Sequence, residues 1–424
     1  MRVLVTTGAI PTHLNLLVPT AWALRAAGHE VCVASSPELR GAINDAGLPA
    51  VVVGRPASIK GRVELMADVW QTTKRRNQFI PHIAETDPER LTLQYVRGAL
   101  WVYTTMVSGS ILAHESMLDE LVAFARRWRP DLVIWDAMAY LGPVVARACG
   151  AAHVRSLFGP DHVGRMWALF HKLAGDQAAG DPMREWLGKR LAAYGCEFTE
   201  DTVLGQRTID VLPSWLRVTD DVDYLPVRYV PYHGRTDYPR WLLEEPARPR
   251  VVVTTGLSGR TFGVPTLATG RLLTALADLD VEVIATLSAD QRAELRAVPD
   301  NVRVFEFVPL DAVLPGSSAV VHHLGTGTLA SALLHGVPHV AVNDGFQPWG
   351  EALIGRALTA QGIGEYLPAA EPDPAEVVDT LRRVLEDPAY RRNAERVREE
   401  MRAAPSPAAI VPELEAVAAR GPVG

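Results

Sequence analysis

The feature that most constrains this chain is a strand–helix–strand rhythm that starts within its first residues. Val3-Leu4-Val5 is a short β-rich run, Leu16 to Ala27 follows with helical spacing, Gly28 stops the helix, and Val31-Cys32-Val33 opens a second strand. Strands joined through a helix in this way pair in parallel by a right-handed crossover, which makes the fold α/β. The rhythm continues at Ala50-Val51-Val52-Val53 and at Asp131-Leu132-Val133-Ile134-Trp135, followed by a helix from about Leu141 to Ala148 that ends at Gly150. After an interval it restarts at Val251-Val252-Val253 and runs on through Val281–Ile284, Val302–Val304, Ala319–Val321 and His339–Val342.

Two such runs in 424 residues exceed what one hydrophobic core usually serves. The expectation is two Rossmann-like, doubly wound domains facing each other across a cleft. Residues 1–230 form the first and 250–400 the second, with a proline- and charge-rich linker at 231–249. A tail at 401–424 is expected to pack back toward the first domain. Ligands in such sheets bind beyond the carboxyl ends of the strands. Residues 55–128 read as helices and loops and hold Trp70, Phe79, Tyr95, Trp101 and Tyr103. An insertion of that size is either a binding or partner surface, or extra helices over the sheet edge.

Composition excludes several classes. A net charge of −7 offers no electrostatic pull toward nucleic acid, and the short basic run Lys74-Arg75-Arg76 reads as a solvated helix face. Cys32, Cys149 and Cys196 are scattered without a C-x-x-C spacing, which argues against a disulfide framework or thiolate zinc site and fits a reducing, cytoplasmic setting. The first residues read as a strand rather than a signal peptide. No run of about eighteen apolar residues occurs, so no membrane span is expected.

The strongest local motif is Val320-Val321-His322-His323-Leu324-Gly325-Thr326-Gly327-Thr328, followed by the helix-like LASALLHG. A strand, a small-residue turn and a helix starting near Thr328 would aim backbone amides and the helix dipole at one point, as an anion site requires. Gly325 and Gly327 would let a phosphate approach, while Thr326, Thr328 and His323 add donors. An ordinary βα turn with an N-cap threonine fits the same residues; the paired histidines favour the anion site. No G-x-x-x-x-G-K-[ST] occurs, and Gly8 stands in the first turn without a G-x-G-x-x-G, so neither a P-loop enzyme nor a dinucleotide enzyme of the usual type is expected.

His13 follows the first strand, in the loop just before the first helix, and Asp136 follows the strand Asp131–Trp135 at the same edge of the same sheet. Histidine titrates near neutral pH, which suits a general base, and a carboxylate on its far ring nitrogen would fix the tautomer. A solvated helix-entry residue is the alternative. Asp221-Val222-Asp223 mimics a metal-holding D-x-D, yet it lacks a preceding strand and reads as a solvated loop.

Taken with LVPTAWALRAAGHEVCVASSPEL, WRPDLVIWDAMAY, LFGPD, TTGLSGR and DNVRVFEFVPLDAVLPGSSAVVHH, these residues resemble the GT-B, family 1 glycosyltransferases of actinomycete antibiotic pathways. The likeness spans nearly the whole chain and is strongest to the activator-dependent macrolide and anthracycline aminosugar transferases, the erythromycin desosaminyltransferase-like group. It implies that His13, with Asp136 as partner, deprotonates a hydroxyl of a polyketide aglycone. That oxygen then attacks C1 of a TDP-deoxysugar with inversion. The likeness further implies that Ser258, His323, Gly325, Thr326, Gly327 and Thr328 hold the diphosphate, that the backbone around Val308 meets the thymine, and that Gln347 or Glu351 serves the sugar. Trp70, Phe79, Trp101, Tyr140 and Phe158 are the expected acceptor contacts. No metal and no further cofactor is implied. A cytochrome-P450-like activator protein is an implied partner, and a homodimer stays open. Two departures stand out: Leu324 replaces the first glycine of a His-His-Gly-Gly turn, where it would narrow the phosphate site or push the backbone away, and Gly345–Glu351 lacks the usual aspartate. A catalytically silent homologue that partners another transferase is the alternative reading.

Overall fold

The computed structural model describes residues 1–56, 81–105, 108, 115–175, 180–257, 269–342, 349–369 and 372–422. These residues form two compact units. The first comprises Met1–Leu212, Arg217–Gly234 and Pro405–Gly424, and the second Pro213–Leu216 with Arg235–Ala404.

The first unit is built on a parallel sheet of β1 (Arg2–Thr6), β2 (Glu30–Ser35), β3 (Ala50–Val52), β4 (Leu132–Asp136), β5 (Ala152–Ser156), β6 (Thr208–Asp210) and β7 (Tyr224–Pro226). Their order is β3-β2-β1-β4-β5-β6-β7. Val3, Leu4 and Val5 are at most 1% exposed, as expected of a parallel strand covered on both faces. The second unit repeats the plan with β8 (Arg250–Thr254), β9 (Glu282–Thr286), β10 (Val302–Phe305), β11 (Ala319–His322), β12 (His339–Val342) and β13 (Gly364–Leu367), ordered β10-β9-β8-β11-β12-β13.

The apolar runs of the sequence therefore mark nine of these strands, but β5, β6, β7 and β13 carry no such run. In β5 the reason is chemical: its sequence AHVRS holds two polar side chains, His153 and Arg155, that are 0% exposed. Each is neutralised in place. His153 Nδ1 accepts from the Trp135 indole N–H at 3.3 Å, and its Nε2 lies 2.9 Å from Asp201 Oδ2. Arg155 pairs with Asp161 and donates to Thr208 Oγ1 at 3.2 Å.

Helix boundaries differ from the periodic reading in two places. The first helix spans Pro11–Ala26 rather than starting near Leu16. Pro11 has its φ already set for a helix and no N–H to leave unsatisfied, so it suits the first helical position. The helix after β11 spans Thr326–His335 rather than starting near Thr328, with Gly325 as its N-cap. The helix Leu141–Cys149 ends as expected, with Gly150 in the left-handed region at φ 76°. Within 55–128, the described part contains the helices Leu93–Val102 and Glu115–Trp128.

The last segment of the chain is part of the first unit. Its helix Val411–Arg420 packs on β4 and β5 and buries Leu414 and Val417 completely. Polar ties reinforce it: Gln206 Nε2 donates to the Gly421 carbonyl at 2.8 Å, Arg207 pairs with Glu413 at 3.1 Å, and His29 pairs with Glu415 at 2.9 Å. We expect Leu414→Ala to lower the unfolding free energy by about 2–5 kcal/mol, the usual cost of emptying a buried leucine site. Urea denaturation should show the midpoint falling at constant slope; a change under about 0.5 kcal/mol would contradict this packing.

Candidate active site

β1 and β4 pair with Thr6 opposite Trp135, so the chain leaves both strands side by side at Thr7 and Asp136. The sheet order reverses at this pair, the place where an α/β sheet opens a crevice. Asp136 is 3% exposed, and its carboxylate is held from three sides. Oδ2 accepts from Thr7 Oγ1 at 3.0 Å and lies 2.9 Å from His13 Nδ1, while Oδ1 accepts from the Met138 amide at 3.0 Å. Burial alone would raise this carboxyl group. The adjacent His13 imidazole, then the Met138 amide and the Thr7 hydroxyl, outweigh burial and hold the group below the usual carboxylate range.

An ionised Asp136 places the imidazole proton on Nδ1 and leaves the Nε2 lone pair of His13 as an acceptor of protons. His13 sits in the first turn of the helix Pro11–Ala26, not in the preceding loop. A helical backbone fixes its ring more tightly than a loop would. Phe158 completes the placement, stacked on the ring at 4.4 Å between centroids and 22° between planes. It follows β5 in a loop anchored by the Arg155–Asp161 pair, and Asp161 also caps the helix His162–Ala174 by accepting from the Gly164 amide at 2.9 Å.

The second unit carries its own cluster at the equivalent reversal, between β8 and β11, where Thr254 stands opposite His322. Beyond these strands His323 lies between two glycines. A Cβ at Gly256 (φ 66°) would come within 2.9 Å of His323 Cε1, and one at Gly325 within 3.3 Å of its Nε2. The role of Gly256 in making room for this ring cannot be read from spacing, because the two residues meet only through strand pairing. Gly325 then caps the helix Thr326–His335 without a side-chain hydrogen bond. The first turn of that helix presents Thr326, Gly327 and Thr328, and the helix dipole adds positive potential there. Thr328 itself is buried at 6% exposure.

Leu324 resolves differently from its expected narrowing effect. It adopts φ 69° and its side chain is 1% exposed, so it turns into the core while the backbone follows the path a glycine would take. For a non-glycine residue that conformation costs about 1–2 kcal/mol. His322 is also buried, with Nε2 2.9 Å from His339 Nδ1 and Nδ1 accepting from the Leu324 amide at 3.2 Å. Only one of the two adjacent histidines therefore faces the turn.

Val308 is 3% exposed and packs with Val252, Val313 and Val320. Glu351 begins the helix Glu351–Ala360 and accepts from the Trp349 amide at 2.9 Å. Trp101 is 57% exposed on the helix Leu93–Val102. Tyr140 departs from its expected place on an acceptor surface. It is 1% exposed, packed against Trp135 and Trp186, and its hydroxyl donates to the Val203 carbonyl at 3.3 Å. Its position between β4 and the helix Pro182–Ala192 makes it core. Trp70, Lys74, Arg75, Arg76, Phe79, Ser258 and Gln347 lie outside the described residues. Asp221 and Asp223 are exposed, with Asp223 paired to Arg207 at 3.0 Å.

Comparison with known proteins fits this geometry. A family model described as the erythromycin biosynthesis protein CIII-like N-terminal domain matches residues 22–256, and the corresponding C-terminal domain matches 270–417. The chain belongs to this family. It is a glycosyltransferase with the GT-B architecture of two Rossmann-like domains. Among its relatives, the 10-deoxymethynolide desosaminyltransferase of Streptomyces venezuelae is 44% identical over 428 residues, covering 99% of this chain and 98% of the relative. The aclacinomycin-T 2-deoxy-L-fucose transferase of Streptomyces galilaeus is 42% identical, covering 99% and 96%. The crystal structure of glycosyltransferase VinC in complex with dTDP superimposes with a TM-score of 0.88 at 40% identity, covering 99% of this chain and 100% of that one.

The buried histidine pair of this CIII-like chain gives a pH signature. Burial pushes His322 well below the usual imidazole range, with the neighbouring His339 and His323 adding to it. Burial pushes His339 down from 6.5 to about 3. Both are neutral when folded, whereas the unfolded chain protonates them. Their contribution to stability is thus complete above pH 6.5 and is lost as pH falls toward about 3. His339→Gln should make the fall in urea midpoint between pH 7.5 and pH 5 shallower than in the parent chain. Parallel pH dependences would contradict a buried neutral pair.

Proposed function

We propose that this glycosyltransferase moves a deoxysugar from a TDP-sugar to a hydroxyl group of a macrolide- or anthracycline-type polyketide aglycone, with inversion at C1. The observation that carries the mechanism is the His13–Asp136 pair at 2.9 Å, with the tautomer fixed by a buried, triply bonded carboxylate. His13 Nε2 takes the proton of the acceptor hydroxyl as its oxygen attacks C1. Asp136 stabilises the imidazolium that results. The bond from C1 to the TDP oxygen breaks as the new C–O bond forms, so the departing diphosphate gains charge. His323 and the amides of Thr326, Gly327 and Thr328 stabilise that charge, a role a helix N-terminus fills without a metal ion.

The names of the relatives support the substrate classes: a desosaminyltransferase acting on 10-deoxymethynolide, a 2-deoxy-L-fucose transferase, and a solved homologue holding dTDP. In this reading Ser258 adds to the diphosphate site, the backbone at Val308 meets the thymine, and Gln347 with Glu351 serves the sugar hydroxyls. Trp70, Phe79, Trp101 and Phe158 form the apolar acceptor surface. Leu324 gives no ground for a silent homologue, because its side chain is buried away from the turn and its backbone matches that of a glycine.

His13→Ala should lower kcat by roughly 10²–10⁴, the usual worth of a positioned acid–base group, and leave TDP affinity nearly unchanged. Asp136→Asn should act in the same direction by freeing the tautomer. Steady-state kinetics and calorimetry with TDP check both, and near-parental turnover of His13→Ala would overturn the assignment of the base.

A second protein is also part of this proposal. A cytochrome-P450-like activator is expected to dock on the long insertion, whose basic run Lys74-Arg75-Arg76 and neighbouring aromatics suit an interface. The purified chain is assayed with donor and aglycone, alone and with the activator-like protein from the same gene cluster. Addition should raise turnover, and changing the three basic residues to glutamate should remove the gain. Full activity of the isolated chain, unaltered by the second protein, would reject the partner.

A further inference from the structure

His322 is the last residue of β11, and His323 follows it at the start of the turn. His323 faces the turn, whereas His322 is 1% exposed and His339, which opens the neighbouring strand β12, is 0% exposed. The proposed mechanism uses neither buried ring. Their nitrogens nevertheless form a directed chain: the Leu324 amide donates to His322 Nδ1 at 3.2 Å, and His322 Nε2 lies 2.9 Å from His339 Nδ1.

Proton counting settles both tautomers. A neutral imidazole has one N–H. His322 Nδ1 accepts a backbone amide, so its proton is on Nε2 and is donated to His339 Nδ1. The proton of His339 is then on Nε2. A charged His322 would set its Nδ1–H against the Leu324 amide, donor facing donor, and the contact would be lost. The amide at the end of this chain belongs to the residue with φ 69°, one of two non-glycine residues in the left-handed region among those described. A strained backbone persists only where its surroundings fix it.

We propose that His322 and His339 are positioning residues for the diphosphate-binding turn. By holding the Leu324 amide they keep Leu324 left-handed, and this bend delivers Gly325 and the helix Thr326–His335 to the same side as His323. A glycine at 324 would take that bend unaided; a leucine needs the hydrogen bond. The proposal rests on the reading of this turn as the diphosphate site.

The test is a rescue experiment on the full-length protein. His322→Phe keeps an aromatic ring and removes the acceptor. It should weaken TDP binding by about tenfold or more, in line with leaving a buried amide unsatisfied. In a Leu324→Gly background the same His322→Phe change should cost less than about twofold, because a glycine takes the bend unaided. His339→Asn, which can still present an acceptor to His322, should lie between. Calorimetry with TDP gives the affinities, and circular dichroism verifies the fold. ¹⁵N-histidine NMR of the parent chain should show two Nε2–H tautomers, a readout independent of any variant's folding. If the parent chain binds no TDP, the diphosphate reading itself falls. If it binds and a folded His322→Phe binds equally well, or Leu324→Gly fails to rescue, or His322 carries its proton on Nδ1, the positioning role is overturned while the diphosphate reading stands.

Discussion

Both candidate clusters in this molecule depend on two parallel strand pairings, β1 with β4 and β8 with β11. In each sheet the order of strands reverses at that pair, so the crossover helices leave for opposite faces and the backbone opens beyond the strand ends. The register then decides who meets whom. Thr6 opposite Trp135 brings Asp136 beside Thr7, within reach of His13. Thr254 opposite His322 brings His323 over Gly256. A one-residue slip in either pairing would turn these side chains to the other face of the sheet.

The two clusters handle charge in opposite ways. The first buries an anion, Asp136, and stabilises it with three donors, one of them the His13 imidazole. The second buries two imidazoles as a neutral, hydrogen-bonded pair and leaves the positive potential to a helix terminus. Backbone dipoles need no counterion and do not titrate, which suits a site where negative charge develops on a leaving group. A buried cation there would carry a desolvation cost that the amides avoid.

The same economy explains β5. Its polar pair would be costly in a sheet interior if left alone. Instead, His153 bridges Trp135 and Asp201, and Arg155 ties Asp161, which caps the next helix and anchors the loop that carries Phe158. The ring stacked on His13 is thus held by the end of β5, two places from β1 in the sheet.

The sequence alone determined the α/β class, the two-unit plan, nine strands and the identity of the two clusters. Apolar runs, glycine stops and the H-H-x-G-T-G-T spacing are local signals that survive without coordinates. What needed the tertiary structure was anything set by contact across distance in the chain. The polar strand β5 is invisible to periodicity because Asp161, Asp201 and Thr208 neutralise it from other elements. Tyr140 follows a site residue in sequence yet belongs to the core, because its ring falls between Trp135 and Trp186. His322 and His323 look equivalent on the page, but the pairing of β11 with β12 buries one against His339 and leaves the other at the turn. Leu324 reads as an obstruction until its φ is known, and its amide meets His322, whose other ring nitrogen meets His339 on the neighbouring strand.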